Sequence, residues 1–428
     1  MPAIATKPAT KTVKYANDKI QLQDGVAAVG DAGANFSSRA IGGNDTFYGG
    51  DGQDNIAWGD TDGTMSGGAI GGNDVFYGGD GGSNTFYGDG YAMENAGTLG
   101  GNDRFEGGVD GYNLALGDAV VLADSARGGN DHLAGGDFAI NLLIGDGYAV
   151  VADADGGHDH LQGGDTAVNL LAGDGYLMVE AAGGKDHLTG GDESLNLLIG
   201  DGYAMLGAVG GDDHLRGGDG TGDGYSLNLM VGDGLLMLGE GGRDHLQGGD
   251  DAFNLMAGDG YIAAGVMGND HLVGGGEGSL NVMLGDGYLA ASESTFGNDV
   301  LVSQGGDDLM FGDTVLEGDG YAVIGDPTFV DGLATPPSLT DPVPVFVGGR
   351  DVFSFSAGNG NDVIGDLRLQ DGDRIDLSAM GLALSDLDDL IVDNGSDALI
   401  DFGDGNSITV VGWSEADLEA NAAQLFTV

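Results

Sequence analysis

The feature that most constrains this chain is a phrase of about 28 residues that keeps returning. "GGNDHLAGGDFAINLLIGDGYAV" at 128–150 is followed by "GGHDHLQGGDTAVNLLAGDGYLM" at 156–178 and "GGKDHLTGGDESLNLLIGDGYAM" at 183–205. An aspartate before an apolar strand marks each pass: Asp45, Asp74, Asp103, Asp131, Asp159, Asp186, Asp213, Asp244, Asp270 and Asp299. The spacings are 29, 29, 28, 28, 27, 27, 31, 26 and 29. A period of roughly 20–50 residues is the signature of a solenoid or array, in which each unit buries its apolar face against the next. The one long interval carries an extra "GTGDGY" at 220–225, which reads as a loop insertion.

Each unit holds three strand-like pieces. The first is D-H-L-x before "GGD", the second N-L-L-x before "GDG", and the third "YAV" or "YLM" before a variable turn. Helix is disfavoured, because 89 of the 428 residues are glycine and each costs about 1 kcal/mol relative to alanine inside a helix. The pattern predicts an all-β fold, a parallel β-solenoid (β-helix or β-roll) of about ten coils of 26–31 residues. A three-sided coil stacks like on like and is preferred, with a two-sheet roll as the alternative. Residues 1–40 form a leader with five of the thirteen bases. Its "VKYANDKIQLQDGVAAV" reads as one or two strands that cap the first coil or pair with another molecule. The array runs over 41–326. Residues 327–345 hold five of the seven prolines and read as a linker or covering loop, and 346–428 read as a small β domain.

The charge balance is extreme: 69 acids against 13 bases, net −56. That excludes nucleic acid as a partner, since phosphate binding needs a basic face. The acids recur at regular intervals, so they belong to the fold, and they repel one another unless cations intervene. With no cysteine, disulfides, thiolate zinc sites and a thiol nucleophile are excluded. The N-terminal stretch has no apolar core of a Sec signal peptide, and no run of about 18 apolar residues is present to span a membrane.

In a stacked coil, equivalent residues lie about 4.8 Å apart. The "GDG" aspartates (Asp146, Asp174, Asp201, Asp233, Asp259, Asp286) then form one column, and the "GGD" aspartates (Asp137, Asp165, Asp192, Asp219, Asp250) another. Two like charges about 5 Å apart repel by roughly 3 kcal/mol at an effective dielectric of 20, and a column multiplies that beyond what a marginally stable fold tolerates. Ca²⁺ resolves the conflict, because it takes six to eight oxygen ligands, backbone carbonyls included. The candidate metal ligands are these two columns, the ten strand-leading aspartates above, and the related turn residues Asp51, Asp54, Asp60, Asp80, Asp89, Asp308, Asp313 and Asp362. The competing reading of any one turn is that Asp-Gly simply turns the chain well.

Other residue types also recur in columns. Asn113, Asn141, Asn169, Asn196, Asn228, Asn254 and Asn281 precede the second strand and read as a ladder of stacked amides. His132, His160, His187, His214, His245 and His271 share one position. With Leu133 inward, His132 points out, so a solvated ladder is preferred over a zinc- or pH-responsive one. Tyr91, Tyr148, Tyr176, Tyr203, Tyr261, Tyr288 and Tyr321 follow "GDG" and read as a structural stack. If Leu143 is inside, Leu142 and Ile144 face out, as do their counterparts from Leu170 to Phe311. The resulting apolar stripe is either an assembly surface or is covered by the third strand or the proline-rich segment.

The strict pattern G-G-x-G-x-D occurs at Gly49–Asp54 ("GGDGQD"), with a near match at Ala357–Asp362 ("AGNGND"). These turns resemble the repeats of the RTX, haemolysin-type calcium-binding family. The tail "GRDVFSFSAGNGNDVIGDLRLQDGDRIDLSAMG" through "LEANAAQLFTV" resembles the C-terminal region of type I secreted RTX proteins. Most array turns are shorter than the family motif. The resemblance implies Ca²⁺ at the glycine-rich turns, an uncleaved C-terminal signal read by a type I secretion apparatus, and an extracellular or cell-surface location in a bacterium. The expected function is a secreted calcium-binding structural protein that folds in extracellular Ca²⁺. Its expected partners are itself, in a layer, filament, matrix or adhesive structure, and cell-surface glycans. No catalytic residue is assigned: neither H-E-x-x-H nor G-x-S-x-G occurs. A secreted polysaccharide-acting or other hydrolytic enzyme is the alternative, and an ice-binding solenoid a more distant one.

Overall fold

One repeat makes one coil, and the coil from Asp131 shows how. Leu133 is fully buried between outward His132 and Ala134 in the strand His132–Ala134. A glycine corner leads to Ile140–Ile144, where Asn141 and Leu143 point inward. The corner Gly145–Asp146 then opens the third strand, Gly147–Val151, whose Val150 is buried. A final glycine corner returns the chain to Asp159, one layer up. Alternation within short strands aims every second residue at the interior. The coil therefore supplies the crossover that parallel pairing requires without a helix.

The computed structural model describes residues 13–36, 39–221, 224–276, 278–291, 294–318 and 348–428. It is a parallel β-solenoid of about ten turns, about 5% helical, in which each coil gives one strand to each of three sheets. Like stacks on like, as preferred from the sequence. Two compact units are distinguished, Met1–Leu227 and Asn228–Val428.

In the first unit, Leu133, Leu161, Leu188 and Leu215 stand in register along the first sheet. Asn141, Asn169 and Asn196 do so along the second, and Val150, Met178 and Met205 along the third. These columns are the core. Near its start the core changes to Phe47, Phe76, Phe86 and Phe105, whose rings pack 5.3–6.5 Å apart. Where one or two strands were expected, the leader contributes two. Lys19–Gln21 pairs with Thr46–Tyr48 and Ala27–Val29 with the strand Asp54–Trp58. Within the insertion, Thr221 and Gly224 exchange two backbone hydrogen bonds, at 3.1 and 3.0 Å.

In the second unit the same three registers run through His245↔His271, Asn254↔Asn281 and Met237↔Ala263. The C-terminal β region is not detached from this stack. Val352–Ser354 pairs in parallel with Val300–Val302, and Asn361–Ile364 with the strand Asp307–Phe311. The end of the second sheet is then finished by antiparallel pairing, Asp397–Gly403 against Asn406–Val410 and Ile391–Asn394 against Asp397–Gly403, with an irregularity between Asp401 and Gly403. Antiparallel pairing and a bulge blunt an edge that would otherwise accept another strand. The proline-rich segment and Tyr321 lie outside the described residues.

Candidate metal centre

Two aspartate columns meet inside the coil. The first consists of the strand-leading residues. In the first unit the backbone N–H of Asp45, Asp74, Asp103 and Asp131 each donates to Oδ1 of the next aspartate up, at 2.6 Å. Asp159 and Asp186 continue the pattern at 2.7 Å, the latter to Asp213. In the second unit Asp244, Asp270 and Asp299 donate at 2.8, 2.7 and 2.9 Å to Asp270, Asp299 and Asp351. All are at most 3% exposed. Each Oδ1 thus has its donor. The Oδ2 atoms of Asp45, Asp74, Asp103, Asp131, Asp159, Asp186, Asp270 and Asp299 have none and are buried.

The second column is the aspartate after the corner glycine. Asp118, Asp146 and Asp174 each take the N–H of a later glycine (Gly129, Gly157, Gly184) on both oxygens at 2.9–3.1 Å. Asp60 and Asp89 do so through Oδ2 from Gly72 and Gly101, and Asp201 takes the Gly211 N–H on both oxygens. In the second unit Asp233, Asp259, Asp286 and Asp313 are met by Gly242, Gly268, Gly297 and Gly349. Along this column each carboxyl crowds the next, so that after burial Asp89 is the largest cause raising the pKa of Asp60, and Asp89 and Asp146 both raise that of Asp118. Two such oxygens tolerate that approach only with a proton or a cation between them.

The glycine corners hold the columns together. A Cβ on Gly145 would stand 1.8 Å from the Gly173 carbonyl oxygen and 2.0 Å from Asp159 Oδ2. A Cβ on Gly128 would stand 1.6 Å from Asp146 Oδ1. These glycines are required by close approach, since neither has a left-handed backbone. The donorless Oδ2 therefore faces a backbone carbonyl oxygen across a corner that admits no side chain. Oxygens of Asp89, Asp103 and Asp118 lie within 4.8 Å of one another, which brings the two columns into one cluster.

Burial is the first cause of a strong upward pKa shift in Asp103, Asp118, Asp159 and Asp174, and neighbouring aspartates add to it. For Asp131 and Asp186 burial again dominates, opposed by the N–H each accepts. A buried carboxylate without a partner is costly. The donor set of carboxylates and carbonyls, with orphaned oxygens converging, fits a hard cation such as Ca²⁺. The residues that would hold it are the two columns, together with the corner carbonyls.

Of the candidates read from the sequence, the strand-leading ten and Asp60, Asp89, Asp146, Asp174, Asp201, Asp233, Asp259, Asp286 and Asp313 lie in these columns. Asp51, Asp54, Asp80, Asp137, Asp165, Asp192 and Asp250 are exposed, and Asp219 is half-buried. Several of this group accept a backbone N–H from the next coil instead: Asp165 to Asp137 and Asp192 to Asp165, both at 2.9 Å. Asp308 and Asp362 are buried on the second sheet, at the asparagine position. Asn281 Nδ2 donates to Asp308 at 2.5 Å and the Asp308 N–H donates to Asp362 at 3.1 Å. Asp118, Asp351 and Asp373 belong to the columns and were not singled out from the sequence. Asp118 sits in "GDA" rather than "GDG", but its distance of 29 from Asp89 marks it.

The asparagine ladder is present and complete in its chemistry. Asn141 Nδ2 donates to Asn169 Oδ1 at 2.8 Å and to the Gly136 carbonyl at 2.9 Å, while its Oδ1 accepts the Gly136 N–H and the Asn113 amide. Tyr148, Tyr176 and Tyr203 stack at 5.0 and 4.9 Å. The apolar stripe is partly covered. Leu142 is half-buried, whereas Ile144 is only 3% exposed, packed with Leu116 and Ala172. The tyrosine stack lines the groove over it. Among the described residues no helix is long and apolar enough to cross a membrane. No family model, no curated protein and no solved structure matches the chain.

Proposed function

We propose that this chain is a secreted, non-catalytic structural protein whose solenoid folds around Ca²⁺. The observation that supports the reading is the pair of buried aspartate columns, whose orphaned carboxylate oxygens face carbonyls across glycine corners. Stability of such an interior depends on a cation, so folding is coupled to metal. Calcium is scarce inside cells and abundant outside, which suits a chain exported unfolded. The tail's resemblance to RTX secretion regions makes the type I apparatus the proposed route. Assembly with further copies, and contact with cell-surface glycans, are proposed from the half-covered apolar stripe and the acidic face.

The test is circular dichroism with light scattering during a calcium titration of metal-stripped protein near neutral pH. The expected result is a disordered polyanion that gains β signal cooperatively and then grows in mass. A stripped chain that keeps its full β signal and melting temperature would show that protons, not calcium, hold the columns.

A further inference from the structure

A second kind of ligand atom is stacked on the outer face of the first sheet. His132, His160 and His187 stand with ring centroids 4.9 Å apart and planes within 7°. In the second unit His245 and His271, paired in register, have centroids 4.7 Å apart. Here the rings are turned so that the two Nδ1 atoms converge to 2.7 Å. Both side chains are half-buried and reachable from solvent.

We propose that His245 and His271 form a bis-imidazole site for a borderline divalent cation of the zinc or copper class. A metal bound to imidazole nitrogens at about 2.1 Å places two adjacent ligand nitrogens roughly 3.0–3.4 Å apart. The observed separation needs to open by only a few tenths of an ångström. A metal ion takes the place of the single proton that the two nitrogens must otherwise share. Ligand hardness keeps the two metal classes apart: imidazole selects zinc, copper and nickel, while the buried oxygen columns suit calcium. The stack His132–His160–His187, with parallel rings, offers weaker pairs of the same type. This site does not rest on the calcium reading, because its ligands lie outside the coil.

The experiment uses the full chain in excess Ca²⁺, titrated with Cu²⁺ and, separately, Zn²⁺, by calorimetry. Electron paramagnetic resonance of the copper form counts nitrogen ligands. To isolate the pair, His132, His160, His187 and His214 are replaced by alanine in one variant, which should keep one copper ion with two nitrogen ligands. Adding His271→Ala should weaken that binding at least about tenfold and lose the two-nitrogen signature, while adding His158→Ala should change neither. Should the multiple variant not give a native dichroism spectrum, His271→Ala alone is read in the native chain, where the number of two-nitrogen copper ions should fall. Unchanged affinity on loss of His271, a copper signal with oxygen ligands only, or copper bound solely by displacing calcium overturns the proposal.

Discussion

At the residue scale, the buried carboxylates make a prediction whose sign depends on the metal. Asp131→Asn keeps the shape and the Oδ1 that accepts the Asp103 N–H, but removes the charge on an oxygen without a donor. In metal-free protein near neutral pH this relieves repulsion, and the variant should keep more β signal than the disordered parent. In the calcium-loaded protein it removes a ligand, so the variant should melt lower and bind calcium more weakly. Circular dichroism of the metal-free form and calorimetry of the calcium-loaded form check this, and a loss of structure in both, or a gain in both, refutes it. A second prediction concerns the corner after the exposed aspartate, where Gly52 and Gly81 are replaced in later coils by Phe138 and Thr166. All four are left-handed, Thr166 at φ 52°. That region favours glycine by about 1–2 kcal/mol, so Thr166→Gly should raise the unfolding midpoint in denaturant.

At the element scale, three strands per coil were readable because period, glycine punctuation and inward leucines all agree. Which aspartates would meet was not readable. Spacing puts like residues in columns, but whether a corner side chain falls inside depends on local backbone. The left-handed residue after Asp137, Phe138 at φ 53°, turns that corner outward, whereas Asp146 follows a corner packed too closely for any Cβ and stays inside. The asparagine ladder is the strongest test of the coil as a unit. Asn141→Ala would strand the Gly136 N–H and carbonyl and break the amide chain between Asn113 and Asn169. Several buried groups losing partners at once should cost about 3 kcal/mol or more. Thermal melts in saturating calcium should show this against Asn130→Ala, an exposed neighbour, as the control.

At the scale of the whole molecule, the columns set how a chain of net charge −56 responds to pH. Burial raises Asp259 to about 7, opposed by the N–H of Gly268 and nearby carboxyls. Burial likewise raises Asp373 to about 7 and pushes Asp103 and Asp118 well above the ordinary range. In the unfolded chain these groups titrate near 3.9. Between the two values the folded state holds protons that the unfolded state has released, so stability falls as pH rises. The contribution is complete below about pH 4 and is lost as pH passes the folded value near 7, or higher for the deeper pairs. Metal-free protein should therefore hold more β structure at about pH 5 than at about pH 8. Calcium should matter in the opposite sense, because it binds deprotonated carboxylates and its uptake releases protons. Melts at the two pH values, with metal removed on a chelating resin and then in excess calcium, should show calcium's stabilisation growing with pH. A calcium effect that is equal at both values would mean that protons and calcium do not compete for the same carboxylates, and that the cation binds on the exposed aspartates of the surface instead.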